Sequence, residues 1–362
     1  MASCSGLTAG WYSNMRNIII GLILLISGTA QARGPLSTWS KSFIEIRPGQ
    51  SLWVETRPSQ NGKPTLWLEN GLTYSTEQWK SLVQALDQID PELGLVLYDM
   101  DGMGQTVLSK PPIPYDIPFE RQISDLKQLK NLLNLPGRQI LAGLSYGGGV
   151  VVRYLAAYPN DFEKFIAMSP LLGVIPEMDQ AVRRCVTVYR SMGMYAFSSD
   201  ADIYDICLRP IVATFPLAEP TFLGNLTDPR QAALLWFKTE ELYRLTTGSK
   251  DWNAANYLQQ FPSGKFYLIS GENDIYVKLP QQNLFWQSLP AGVGVNHLII
   301  QGTGHKVNEE QPDLTASILL QAINDKLPGD GQTYNINPLN KTATVAADLK
   351  RSACELKLQR VP

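Results

Sequence analysis

Short apolar runs alternate with amphipathic segments along most of this chain, and that alternation constrains the fold more than any other feature. The runs sit in "PTLWLENG", "LGLVLYDMDGMG", "RQILAGLS", "EKFIAMSP", "KFYLISGEND" and "VNHLIIQGTGH". Between them lie stretches with helical spacing, such as Trp79, Leu82, Val83 and Leu86, or Ile123, Leu126, Leu129 and Leu133. Strands apolar on both faces must be covered on both, so the pattern predicts an α/β fold: a mostly parallel central sheet with helices on each side. Upstream, "FIEIRPGQSLWVETRP" reads as a hairpin turning at Pro48-Gly49. From Leu172 to about Trp252 the alternation stops and helix-like pieces replace it, among them "EMDQAVRRCVTVYRSM" and "DPRQAALLWFKTEELYRLT". A helical insertion between two strands of one sheet accounts for this better than two tandem domains. The expected organisation is a core of residues 33–171 and 253–327, a helical cap insertion over 172–252, and a C-terminal appendage over 328–362 with few clear signals.

With 44% hydrophobic and 18% charged residues among 362, the chain can bury a large core. A net charge of -2 offers no basic stripe, so nucleic acid is not an expected partner. At the N-terminus, Arg16 precedes "IIIGLILLI" and then "SGTAQARG", with an A-x-A site at Ala30-Gln31-Ala32. That is the order of a secretory signal peptide over residues 1–32, cleaved after Ala32, and implies a secreted or periplasmic product. The run falls short of the about 18 apolar residues of a membrane span, so none is expected after cleavage; an uncleaved anchor is the alternative. Met15 directly before Arg16 is a candidate start. Of four cysteines, Cys4 leaves with the signal, and a Cys185–Cys207 bond within the insertion fits an oxidising compartment, with Cys354 left over.

The stretch Gly143-Leu144-Ser145-Tyr146-Gly147 is G-x-S-x-G, placed where an apolar run passes into a helical one. In that context the glycines permit a sharp turn that lifts one serine hydroxyl above the carboxyl edge of a sheet. Its glycines lack the spacing, and the following lysine, of a nucleotide-binding loop. A serine hydroxyl needs a base, and the chain has two histidines. His305 lies in "QGTGHKV", a glycine-rich loop after an apolar run; His297 opens that run and is expected to face solvent or a local carboxylate. The carboxylate that orients the base is expected to be Asp274 in "GENDIYV", with Glu272 as runner-up and Asp179 as a more distant alternative. Two backbone amides are expected to receive the oxyanion: that of Tyr146, opening a helix, and one after "LWLENG", Leu72 first and Thr73 second.

These landmarks resemble the α/β-hydrolase superfamily from about Phe43 to Leu327. Asn70-Gly71 is similar to its His-Gly oxyanion dipeptide, "YDMDGMGQT" to its D-x-R-G-x-G-x-S loop, "GLSYGG" to its nucleophile elbow, "GEND" to its acid loop and "GTGH" to its histidine loop. Asparagine replaces histidine at position 70, and Asp101 stands where the family often has arginine. Ser145 separates the chain from the dehalogenases and epoxide hydrolases of this fold, which use aspartate there.

The resemblance and the Ser, Asp, His order imply a serine hydrolase acting on an ester-type acyl bond of a small-molecule, lipid or peptide-like substrate, with no metal or organic cofactor. A proline-type aminopeptidase is the alternative enzyme, and a binding protein that kept the fold is the alternative from another class. An aminopeptidase would need cap carboxylates such as Glu177, Asp179, Glu240 or Glu241 to grip an amino terminus. The apolar cap residues Met192, Met194, Tyr195, Phe197, Phe215, Phe222, Trp236, Phe237 and Tyr243 read either as a pocket lining or, on helical spacing, as ordinary packing.

Overall fold

The structure is a computed structural model that describes residues 39–72, 74–108, 117–173, 176–200, 202–204, 206–208 and 244–346. The segment expected as a signal peptide, Thr73, most of the second half of the insertion, and Cys354 lie outside these residues.

Among the described residues, ten strands, β1 to β10 in chain order, form one sheet in the order β1-β2-β4-β3-β5-β6-β7-β8-β9-β10. The hairpin is β1 (Ser40–Arg47) and β2 (Gln50–Arg57), paired antiparallel around Gly49, whose φ of 72° is open to glycine without strain. From β4 (Gly94–Asp99) through β3 (Thr65–Glu69), β5 (Gln139–Leu144), β6 (Lys164–Met168), β7 (Phe266–Gly271) and β8 (Gly294–Ile300), every neighbouring pair is parallel.

Because the strand period is two, alternate side chains enter separate cores. Trp67, Val96, Leu141, Phe165 and Leu268 pack on one face with α2 (Phe119–Leu133), α3 (Tyr146–Ala157) and, through Phe285 and Trp286, α5 (Leu279–Ser288). Leu66, Leu95, Ile140, Ile166 and Ile269 pack on the other with α1 (Lys80–Ile89) and α6 (Pro312–Ile323). Burying each face at about 25 cal/mol per Å² is what makes the continuous apolar runs stabilising here.

The chain leaves the sheet layers after Leu171 and returns at Trp252. There Gly173 pairs with Asn253, and the Trp252 indole donates to the Leu171 carbonyl at 2.9 Å. Within the inserted segment, α4 (Pro176–Ser191) and residues 202–204 and 206–208 share a small apolar cluster of Val182, Ile203, Cys207 and Leu208, and Cys185 is bonded to Cys207.

Three expectations are corrected. Residues 333–345 are not an appendage: β9 (Thr333–Asn337) pairs parallel with β8, and β10 (Thr342–Val345) extends the sheet antiparallel. Only Ile336 of "TYNIN" is a buried apolar residue, so this half-buried strand, next to the edge strand β10, left no apolar run to read. His297 does not face solvent but is fully buried, because β8 has parallel neighbours on both sides and helices over both faces. Met192, Met194, Tyr195 and Phe197 are exposed among the described residues rather than packed in a core, since α4 ends at Ser191 and helical spacing ends with it; of the four, Tyr195 meets the Tyr189 ring edge-on at 5.6 Å. Phe215, Phe222, Trp236, Phe237 and Tyr243 lie outside the described residues.

Candidate active site

β5 delivers Ser145 into a turn that only glycine neighbours allow. Ser145 has φ 57° and ψ -116°, a conformation that costs an L residue about 1–3 kcal/mol and must be imposed by its surroundings. Three backbone bonds impose it: Ser145 N–H donates to the Met168 carbonyl at 2.9 Å, and the Ser145 carbonyl accepts from Gly149 at 2.9 Å and Leu171 at 2.7 Å. A Cβ on Gly147 would lie 2.3 Å from the Glu69 carbonyl oxygen, and one on Gly143 would lie 2.5 Å from that of Gly147. The elbow therefore sits against both neighbouring strands with Ser145 itself partly exposed. Directly behind it, the Tyr146 amide opens α3, where unpaired amides and the helix dipole favour negative charge.

Asp274 and His305 reach the same sheet edge from β7 and β8. Asp274 Oδ2 lies 2.8 Å from His305 Nδ1, and its Oδ1 accepts the amides of Tyr276 and Val277, each at 2.9 Å. The carboxylate is buried, the imidazole 11% exposed. The two loops are tied together. Asn273 N–H donates to the Thr303 carbonyl at 2.8 Å, and Glu310 accepts from the amides on both sides of His305, Gly304 at 2.7 Å and Lys306 at 3.1 Å. The Tyr276 ring meets the imidazole edge-on at 5.1 Å.

The other carboxylates considered are engaged elsewhere. Glu272 accepts the Gly302 amide at 2.8 Å, bracing the histidine loop. Asp179, on α4, accepts from Arg183 Nε at 2.7 Å and from the Tyr204 hydroxyl at 3.0 Å, so each of its oxygens already has a partner within the insertion. His297 Nε2 lies 2.8 Å from Ser270 Oγ inside the sheet, and burial pushes its pKa down to about 3, leaving it neutral.

The loop after β3 carries the second expected oxyanion donor. Leu72 follows Gly71, whose amide donates to Gln78 Oε1 at 2.8 Å. Asn70 anchors the loop with its whole side-chain amide: it donates to the Tyr98 carbonyl at 3.0 Å and to Asp99 at 3.1 Å, and accepts from the Trp79 indole at 2.7 Å. Asp99 also accepts the Thr76 and Gln105 amides, each at 2.7 Å, while burial pushes its pKa up to about 6. The departure from histidine at position 70 thus supplies one donor and one acceptor group to a buried junction. Asp101, where arginine is frequent, is buried in an ion pair with Arg121 at 3.1 Å. Leu72 packs against the Val182 cluster of the inserted segment; Thr73 lies outside the described residues.

A cavity of about 720 Å³ opens between core and insertion, bordered by Leu171, Leu172, Trp252, Tyr276, Val277 and Arg183. Leu171 is bonded to the Ser145 carbonyl and Tyr276 touches His305, so its wall adjoins both. Sequence reasoning missed Glu310, Asn70 as an anchor, and Gln282, whose Nε2 donates to Asp274 Oδ2 at 3.3 Å. Asn70 lies in the Asn70-Gly71 dipeptide, but its anchoring bonds leave no mark in the sequence; Glu310 and Gln282 lie in no motif, and only folding brings them to the site.

Residues 66–318 match the model of the alpha/beta hydrolase family. Among solved structures, the chain is similar to a membrane phospholipase A described as a bacterial virulence factor, at 17% identity and TM-score 0.58, covering 86% of this chain and 99% of that one. It is likewise similar to the enol-lactonase of Burkholderia xenovorans LB400, at 18% identity and TM-score 0.56 over 78% of this chain and 100% of that one. A thermophilic esterase of Thermogutta terrifontis matches at 18% identity and TM-score 0.55 over 79% and 98%. With the parallel sheet, the elbow and a family match over most of its length, the chain belongs to the alpha/beta hydrolase family and is a hydrolase.

Proposed function

We propose that this hydrolase is a secreted or periplasmic serine enzyme that cleaves an ester-type acyl bond through an acyl-enzyme. The observation that carries the reading is the Asp274–His305 hydrogen bond at the sheet edge that also bears the Ser145 elbow. Asp274 holds Nδ1 protonated, which leaves His305 Nε2 free to take the Ser145 proton as the hydroxyl attacks the carbonyl carbon. The oxyanion forms against the Tyr146 and Leu72 amides, and collapse expels the alcohol, which takes the proton from His305. Water then repeats the sequence, with His305 first base and then acid, releasing the carboxylic acid and restoring Ser145. The cavity beside Tyr276 and Leu171 is the acyl or alcohol site.

Ester is favoured over an aminoacyl amide because Asp179, the described cap carboxylate considered for holding an amino terminus, already pairs with Arg183 and Tyr204. Glu240, Glu241 and the side chain of Glu177 lie outside the described residues. The export reading rests on the N-terminal pattern and fits the Cys185–Cys207 bond. A fluorophosphonate probe is expected to label the wild type and not Ser145→Ala; equal labelling of both, or none of either, defeats the catalytic reading. A panel of acyl esters against aminoacyl amides separates esterase from aminopeptidase, and N-terminal sequencing of exported protein tests cleavage after Ala32.

A further inference from the structure

Asp274 is the end of a buried hydrogen-bond chain that begins at the second histidine. Gln282 Nε2 faces two groups that can only accept, Asp274 Oδ2 at 3.3 Å and the Val277 carbonyl at 2.6 Å. That fixes the amide orientation, because a flipped Gln282 would set its oxygen against both. Gln282 Oε1 therefore points at Ser270, 2.6 Å away, and accepts that residue's one hydroxyl proton. With its proton committed, Ser270 Oγ can only accept from His297, whose Nε2 lies at 2.8 Å. His297 is then the neutral tautomer protonated on Nε2. Its Nδ1 has no hydrogen-bond partner among the described residues, and its ring packs on Trp286 with centroids 5.5 Å apart.

Every donor in this chain points the same way: His297 to Ser270, Ser270 to Gln282, Gln282 to Asp274, with the Asp274 carboxylate as terminal acceptor beside His305. Ser270, Gln282, His297 and Asp274 are all buried, so water does not compete for these bonds. Aligned bonds in such a medium polarise one another. We propose that Gln282, backed by Ser270 and His297, is a positioning residue of the active site: it fixes the Oδ2 lone pair that Asp274 offers to His305 Nδ1. This rests on the catalytic reading of Ser145, Asp274 and His305. It assigns a role to Gln282 and Ser270, which lie outside any motif, and to a histidine that never meets substrate.

The test compares Gln282→Leu, Ser270→Ala and His297→Phe, using kcat and KM on a p-nitrophenyl ester and the rate of fluorophosphonate labelling. The expected order of loss follows the distance from Asp274. Gln282→Leu lowers kcat about tenfold, Ser270→Ala less and His297→Phe least, with KM within about twofold throughout. On an Asp274→Asn background the Gln282→Leu effect disappears, because its only route to the chemistry is gone. The far-downfield proton resonance of His305 Nδ1–H moves in Gln282→Leu. A folded Gln282→Leu with unchanged kcat, or one that loses as much on the Asp274→Asn background, overturns the proposal. If Gln282→Leu does not fold, the same criteria apply to Ser270→Ala. An Asp274→Asn enzyme that labels at the wild-type rate overturns instead the catalytic reading beneath it.

Discussion

Asp274 uses its two oxygens for different tasks: Oδ1 binds the Tyr276 and Val277 amides, and Oδ2 meets His305 Nδ1 at 2.8 Å. The backbone bonds fix the carboxylate, so the imidazole must align to it. Asp274→Asn keeps this shape but can present an N–H to Nδ1, which favours the tautomer with its proton on Nε2, where the base is needed. The expected loss is about 10³- to 10⁴-fold in kcat. Glu272→Gln is expected to retain activity within a few-fold, because Gln can still accept the Gly302 amide that Glu272 binds at 2.8 Å. Steady-state ester hydrolysis by both variants checks the pair, and comparable losses would move the acid assignment off Asp274.

At the elbow, the Gly147 site has no room for a methyl group: a Cβ would stand 2.3 Å from the Glu69 carbonyl oxygen and 2.5 Å from that of Asn70. Both contacts are backbone, in β3 and the loop that follows it, so relief requires moving the strand or the loop. Gly147→Ala is expected to destabilise the fold by about 3 kcal/mol or more, while Gly137→Ala, which meets nothing within 4 Å but has φ 80°, costs about 1 kcal/mol of backbone strain. Urea midpoints of the two variants provide the comparison; equal midpoints would mean that the elbow is looser than described.

How much of this was legible beforehand follows from what each signal depends on. The strands β3 to β8 were readable because two-sided burial leaves uninterrupted apolar runs, and Ser145 because a tight turn demands glycine at fixed positions. His305 and Asp274 followed from the loops after two such runs. β9 was not readable, since a half-buried strand one place in from the sheet edge carries Thr333, Tyr334 and Asn335 as readily as apolar residues. Nor were Gln282 and Glu310: hydrogen bonds between distant segments leave no periodicity, and both residues look like ordinary helix polar positions. His297 misled because its polarity argued for solvent, whereas Ser270 supplies the partner that burial requires.

Glu69 titrates against a background set by the fold. It is fully buried beneath the elbow, accepts the Tyr98 hydroxyl at 2.6 Å, and has an unpartnered Oε1 among the described residues. Burial pushes its pKa from 4.5 up to about 8. Between those values the folded chain holds a proton that the unfolded chain has released, so stability falls as pH rises through the window and levels off above it. Gln at this position keeps an acceptor for Tyr98 and does not ionise. The Tm advantage of Glu69→Gln over wild type is therefore expected to widen between pH 5 and pH 8, which calorimetry at both values measures. A constant difference would show that Glu69 ionises in the folded state as it does in water.

The Cys185–Cys207 bond is linked to the loop after β3 through Leu72. It joins α4 to residues 206–208, and the cluster it closes, Val182, Ile203 and Leu208, packs against the side chain whose amide is proposed to receive the oxyanion. Cross-linking across a separation of 22 residues stabilises the closed form by about 3 kcal/mol in the chain-entropy account. Cys185→Ala with Cys207→Ala, like mild reduction of the native protein, is expected to loosen the cluster while leaving the two sheet cores intact. Amide exchange should then accelerate over residues 179–208 but not in β5 to β8. Fluorophosphonate labelling of Ser145 should slow several-fold, because an oxyanion amide on a less constrained loop is displaced for part of the time. Labelling at the wild-type rate, together with faster exchange in the inserted segment, would show that Leu72 holds its place without the cluster and would assign the bond a purely structural role.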